Sequence, residues 1–234
     1  MRYPQELREG KLQKRMMRFL ADVAWSDGTV VRAHVPNTGS LLGCLEPGQP
    51  ARLSAASDPA RRCPYTLEQL CVGEVWVGVH THRANPLVGE LLQAGTLPSL
   101  AGYAEQRAEV PYGRQRSRID WLLRHPGRAD CYVEVKSVTT SLEPGVGLFP
   151  DAPSERARKH LDELAWCVSQ GWRGVLVFCV QRADVRVVRP AEKIDSAYAA
   201  ALRRVAQEGV EMLALSVRPE AQQLEFQGLI PVEL

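Results

Sequence analysis

The stretch Arg118–Val138 constrains the fold more than any other part of the chain. Two apolar-rich runs, Arg118-Ile-Asp-Trp-Leu-Leu and Asp130-Cys-Tyr-Val-Glu-Val-Lys-Ser-Val, flank His125-Pro126-Gly127-Arg128. Strand-like runs on either side of a Pro-Gly turn predict an antiparallel β-hairpin. Side chains alternate faces along a strand. Ile119, Trp121 and Leu123 are therefore expected on one face of the first strand, and Arg118, Asp120 and Leu122 on the other. On the second strand Glu134 and Lys136 share a face, while Val133 and Val135 point away. Pairing residues equidistant from Gly127 sets Asp120 opposite Glu134, with Lys136 one step along.

Two adjacent carboxylates repel unless a proton or a cation separates them. Hard oxygen donors at this spacing suit a divalent ion such as Mg²⁺. A metal that polarises a phosphoryl oxygen, beside an ammonium that positions water, is what phosphodiester hydrolysis requires. The same pattern also serves an ordinary surface hairpin with a cross-strand ion pair, and spacing alone leaves both readings open.

At 234 residues the chain can hold one large domain or two small ones. Its formal charge of +2 is close to neutral, so affinity for nucleic acid has to come from local patches. No apolar stretch reaches signal-peptide or membrane-spanning length, and no membrane partner is expected. Cysteines 44, 63, 71, 131, 167 and 179 form no C-x-x-C pair and sit mostly in apolar company. Reduced, buried thiols and a cytoplasmic location follow as expectations.

Residues 2–18 carry six basic side chains, Lys14, Arg15 and Arg18 among them, against Glu6 and Glu9. Such an excess suits phosphate contacts, or simply a solvated face. Phe19–Trp25 and Thr29–Val35 flank Ser26-Asp27-Gly28, a strong hairpin signal. Pro36-Asn37-Thr38-Gly39 then breaks the strand. Further β-like runs at Gln49–Ser57 and Leu70–Val79 point to a small β-barrel. A boundary near Thr81–Pro86 divides the chain into 1–83 and 84–234.

Pro86 is expected to open a helix that Gly95 stops. Gly113-Arg114-Gln115-Arg116-Ser117-Arg118 places three arginines beside the paired carboxylates, where they could hold a phosphate backbone. Leu142–Phe149, rich in Gly and Pro, reads as a mobile loop. Ser154 caps a helix Glu155–Ser169, whose first turns crowd Arg156, Arg158, Lys159 and His160. Cations at a helix start oppose its dipole and call for an anionic partner or neighbouring acids. Strands Gly174–Val180, Val185–Arg189 and Val210–Val217 with helix Asp195–Glu208 complete a mixed α/β sheet. A helix-turn-helix over Ala199–Pro219 is the alternative for that segment.

The hairpin, with Asp120 and Glu134-x-Lys136, resembles the core of the PD-(D/E)xK nuclease superfamily. Longer strings are similar to the sugar fermentation stimulation protein A family: Arg18-Phe-Leu-Ala-Asp22, Pro36-Asn-Thr-Gly39, Ser117-Arg-Ile-Asp120, Glu134-Val-Lys-Ser-Val-Thr139 and Phe149-Pro-Asp-Ala152. Val35 stands where that family usually has Cys; Ser154 and Ala157 depart from its Thr-x-Arg-Gly-x-Lys-His-Leu helix start, while Arg156, Lys159 and His160 match.

The resemblance implies an α+β chain of two domains, an oligonucleotide-binding (OB) barrel followed by a nuclease-like α/β domain. It further implies DNA, contacted non-specifically through its backbone, as partner; a homodimer stays open. Mg²⁺ or Mn²⁺ would be held by Asp120, Glu134 and the carbonyl of Val135, with Glu90 on the first helix as a further ligand and Glu109 as its competitor. Lys136 would position the attacking water. Lys14, Arg15, Arg18, Asn37, Thr38, Arg114, Arg116, Arg118, Arg156, Lys159 and His160 would hold the nucleic acid. A DNA-binding regulator of sugar metabolism, built on a nuclease scaffold without turnover, is the rival reading.

Overall fold

Short alternating strands in the N-terminal third meet edge to edge. In the computed structural model, which describes residues 1–58, 60–115 and 117–234, these are β1 (Arg8–Met16), β2 (Leu20–Ala24), β3 (Val30–His34), β4 (Pro50–Ala55) and β5 (Tyr65–Val72). Their order is β3-β2-β1-β4-β5, and a parallel pairing of β3 with β5 closes the barrel. Closure removes the unpaired edges that would otherwise template aggregation. β6 (Val75–Gly78) folds back on β5. Leu12, Val23, Leu53, Leu67 and Leu70 fill the interior. The Asp27-Gly28 turn forms as expected, with the Asp27 carboxylate accepting the Thr29 N–H at 2.8 Å.

A 3₁₀ turn (Thr81–Arg83) leads into α1 (Ala84–Gln93), which starts two residues before Pro86. Then come β7 (Glu105–Tyr112), β8 (Ser117–Arg124), β9 (Cys131–Val138), β10 (Thr140–Glu143), β11 (Val146–Phe149), α2 (Glu155–Ser169), β12 (Arg173–Val180), β13 (Val187–Pro190), α3 (Ser196–Gln207), β14 (Glu211–Pro219) and β15 (Leu224–Ile230). Six strands form a mixed sheet, β15-β14-β12-β9-β8-β7, in which β12 runs parallel to both neighbours. α1 covers one face, where Leu87, Val88 and Leu91 pack on Val133, Val175 and Leu215. α2 and α3 cover the other, where Leu161, Leu164 and Leu202 meet Ile119, Leu176 and Phe178.

Three expectations change. The segment Leu142–Phe149 is no loose loop: β10 and β11 form a hairpin that joins β13 in a small sheet. The helix-turn-helix over Ala199–Pro219 does not exist, because Glu211–Ser216 of β14 pair with β12 in the sheet. Chain position also misplaces the N-terminal residues. The Met1 ammonium donates to the Leu224 carbonyl at 2.9 Å, and Tyr3 and Leu7 are buried in the core beneath α1, so this segment straps onto the second domain. All six cysteines are free, and all but Cys71 are buried. Among the described residues no helix is long and apolar enough to cross a membrane.

Candidate functional site

β8 and β9 pair at Trp121–Val133, Leu122–Tyr132 and Leu123–Cys131, the register set by Gly127. Past Trp121 the backbone ladder gives way to a side chain: the Val135 N–H donates to Asp120 Oδ2 at 2.6 Å. On the other flank β7 skips the position opposite Asp120, where Glu109 holds a left-handed φ of 54°. The strict alternation expected along β8 therefore fails. Ile119 and Leu122 both join the core under α2, whereas Trp121 and Leu123 both join the core under α1. The break lets the Asp120 carboxylate turn toward α1, where Asn85 Nδ2 donates to its Oδ1 at 2.7 Å. α1 can lie this low because position 89 is glycine: a Cβ there would fall 2.4 Å from Trp121 Cζ2. Burial first, and the Glu134 charge second, push the Asp120 carboxyl up to about 6.

Glu134 is 3% exposed. Its Oε1 accepts from Lys136 Nζ at 2.6 Å and meets His160 Nδ1, and Lys136 Nζ lies 3.4 Å from the same imidazole nitrogen. Burial alone would raise this carboxyl; the Lys136 ammonium and His160 outweigh it and hold it below its ordinary value. Its Oε2 is buried with no hydrogen-bond partner among the described residues. A desolvated anionic oxygen without a partner is costly.

A hollow of ≈ 600 Å³ opens over Asp120, Glu134, Lys136 and His160. It continues into a cleft of ≈ 780 Å³ between the barrel and the second domain, sharing Glu109, Val135, Lys136 and Arg156 as walls. Two of the sequence strings meet across this cleft. Asp151 Oδ2 accepts the Leu41 N–H at 3.0 Å, and its backbone carbonyl accepts the Ser40 hydroxyl at 2.6 Å. A Cβ on Gly39 would sit 2.2 Å from the same carboxylate, so that close approach requires glycine.

The expected phosphate-holding residues divide by what they already touch. Arg18, Thr38 and Arg156 line the wide cleft, and Arg118, Arg156 and Lys159 the hollow. Arg118 also donates to the Glu109 carbonyl and Lys159 to the Gln115 carbonyl. Arg15 is committed elsewhere: its guanidinium donates to the carbonyls of Arg18, Asn37, Gly39 and Ser40. Asn37 is buried, donating to the Val79 carbonyl and accepting the Gly39 N–H. Lys14 pairs with Asp22 at 3.7 Å on the barrel surface, and Arg114 is exposed in the turn after β7. Arg116 lies outside the described residues. His160 belongs with the carboxylates rather than the rim. Of the cations at the start of α2, Arg158 finds its acid in Asp195, the N-cap of α3.

Glu90 is not brought to the site. It lies five residues beyond Asn85, well around the helix, and pairs with the Met1 ammonium at 3.2 Å. Glu109 does line both hollows. Asn85, Asp151 and Gly39 were not singled out by their chemistry; an Asn-Pro at the helix start was the only local sign of Asn85. Among the described residues no three His, Cys, Asp or Glu side chains gather into a metal cage. Asp120 with the unpartnered Glu134 oxygen instead fits an ion that takes one or two carboxylates and fills its remaining positions with water or phosphate, as Mg²⁺ does.

The family model described as "Sugar fermentation stimulation protein RE domain" matches residues 82–223, and the SfsA N-terminal OB domain matches residues 14–79. The sugar fermentation stimulation protein homolog of Halorhodospira halophila is 51% identical over 99% of this chain and 98% of its own length. That of Citrifermentans bemidjiense is 46% identical over 100% of both. The structure of Pyrococcus furiosus SfsA in complex with Ca²⁺ superposes with a TM-score of 0.89, at 25% identity, over 100% of this chain and 98% of that one.

Proposed function

The chain belongs to the sugar fermentation stimulation protein family, and from that premise we propose that it binds nucleic acid and that its second domain is a PD-(D/E)xK-type nuclease. It hydrolyses phosphodiester bonds with Mg²⁺ or Mn²⁺ in a reducing cytoplasm, where its six free thiols would persist. One observation carries the reading: Glu134, whose buried Oε2 has no partner among the described residues, lines the same hollow as Asp120, whose carboxyl is raised to about 6 by burial first and the Glu134 charge second, below arginine-lined walls.

Asp120, Glu134 and the Val135 carbonyl would hold the ion, with Glu109 lining the same hollow. Bound there, the divalent ion supplies charge neutralisation at a phosphoryl oxygen and lowers the pKa of water. Asn85 and the Val135 N–H fix the orientation of the Asp120 carboxylate. The Lys136 ammonium, 2.6 Å from Glu134 Oε1, would orient water or a phosphate oxygen, and His160 meets the same Glu134 oxygen. Arg18, Arg118, Arg156 and Lys159 seat the phosphate backbone. The relative from Pyrococcus furiosus, solved with Ca²⁺, supports a hard divalent ion in this family.

Incubating the protein with single- and double-stranded DNA and RNA, with Mg²⁺, Mn²⁺ or EDTA, tests the reading. Cleavage should need the metal, and binding should weaken as salt rises, with little sequence preference. Tight, salt-insensitive binding to one sequence without turnover would favour a regulator instead.

A further inference from the structure

Strain in the backbone is concentrated around the cleft. Among the described residues, the non-glycine positions with left-handed φ are Met17 (47°), Arg18 (63°), Leu41 (53°) and Glu109 (54°). Arg18 and Glu109 line the cleft, and Leu41 is pinned to Asp151, which lines it as well. Side chains rarely adopt this conformation, and where they do the surroundings must over-determine it.

The β1–β2 turn shows how that is done. Met16 pairs with Leu20, leaving Met17, Arg18 and Phe19 as the tip. Asn-Gly would satisfy a tight hairpin turn with positive φ at no steric cost; here the two left-handed positions are Met and Arg. Arg15 holds the tip in place, its Nε donating to the Arg18 carbonyl while Nη1 and Nη2 bind the Asn37, Gly39 and Ser40 carbonyls of the cleft wall. The result is an apolar–cation–apolar point: Met17 is 77% exposed, Arg18 is exposed at the cleft, and Phe19 is 46% exposed. Neither apolar side chain is buried in the barrel core.

We propose that this tip is a wedge that unstacks bases at the entrance to the cleft, Met17 and Phe19 inserting against base faces while Arg18 takes a phosphate. The occupant is nucleic acid because the point carries a cation and stands where Arg18 and Arg156 line the passage to the carboxylates. Apolar wedges of this kind pry base steps apart, and base–side-chain stacking is indifferent to sequence. The inference rests on the proposed nucleic-acid function and assigns that site a splayed or single-stranded substrate.

The test uses the full chain and oligonucleotides, single-stranded and duplex, carrying 2-aminopurine, whose fluorescence rises on unstacking. The wild type should raise emission in the duplex. Met17→Asn/Phe19→Ser, whose Asn accepts the left-handed backbone, should abolish that rise and weaken binding about tenfold, with the same salt slope and the same melting temperature. Arg18→Ala should instead lower the salt slope by about 1. Binding by the wild type without a rise in emission, or a rise that survives in the double variant, overturns the wedge and leaves nucleic-acid binding standing. No binding by the wild type removes both. A dimer in sedimentation that the double variant dissociates, with emission unchanged, would assign the tip to a second copy of this chain.

Discussion

Two of the buried glutamates, Glu68 in the barrel and Glu134 in the second domain, are treated in opposite ways. Glu68 in the barrel is 1% exposed, and both of its oxygens are bonded: Arg83 donates to Oε2 at 3.0 Å and to Oε1 at 2.6 Å, and Ser54 donates to Oε1 at 2.7 Å. Glu134 in the second domain is similarly buried, but among the described residues all its partners crowd onto Oε1 and Oε2 has none. The planar arginine fork saturates a carboxylate; a lysine, a point charge, leaves it unsaturated. A saturated buried acid holds two elements together, here β5 to the turn before α1. Under the proposed function, an unsaturated one beside a second acid would keep room for an ion.

The largest expected effect breaks the first member of that pair. Arg83→Met strips Glu68 of its fork and leaves a buried charge uncompensated, which should cost about 3–5 kcal/mol in urea unfolding. If the loss is under 1 kcal/mol, Glu68 is not the structural acid described here.

The second effect has the opposite sign. The Asp120 carboxyl is raised from 3.8 to about 6 in the fold, so the folded state holds the proton more tightly than the unfolded state. The stability this contributes is present below the unfolded value and is lost as pH rises through about 6. Asp120→Asn removes the penalty, and the variant should be more stable than wild type at pH 7 by on the order of 2 kcal/mol, with the advantage gone near pH 3.5. Thermal melts across that range read it, and a variant destabilised at pH 7 contradicts it.

A smaller effect sharpens the comparison through the metal. Mn²⁺ must compete with the Asp120 proton, so its apparent affinity should be flat above about pH 7 and fall about tenfold per unit below about pH 6. Calorimetric titration showing a flat profile down to pH 5 would remove Asp120 from the ligand set.

Much of this contrast was legible in the residues. The β8–β9 register followed from one turn, and α2 from its Ser154 cap and apolar stripe, because local chemistry decides both. Other features depend on tertiary contacts. β1 reads as a charged run, since only Gly10 and Leu12 of its residues are buried. The phase change at Asp120 adds no residue to the strand and leaves no mark in its hydrophobic pattern; it is set by Glu109, Val135 and Asn85 from three other elements. Glu90, expected as a further ligand with Glu109 as its competitor, lies away from the hollow for a related reason, because which helix face meets the site is settled by Gly89 lying against Trp121. Arg15 looked like a phosphate contact until its four carbonyl partners were in view.

Under the proposed function, Asp120 and the unsaturated Glu134 beside it serve metal-dependent hydrolysis and not binding. The most direct measurement compares wild type, Asp120→Asn and Lys136→Ala for Mn²⁺-dependent cleavage and for nucleic-acid affinity in the same preparation. Cleavage should fall about a thousandfold or more in both variants. Affinity in EDTA should be unchanged or slightly tighter in Asp120→Asn, which removes a negative charge facing phosphate, and modestly weaker in Lys136→Ala, which removes a cation. Cleavage that persists undiminished in both variants would contradict the assignment of the site.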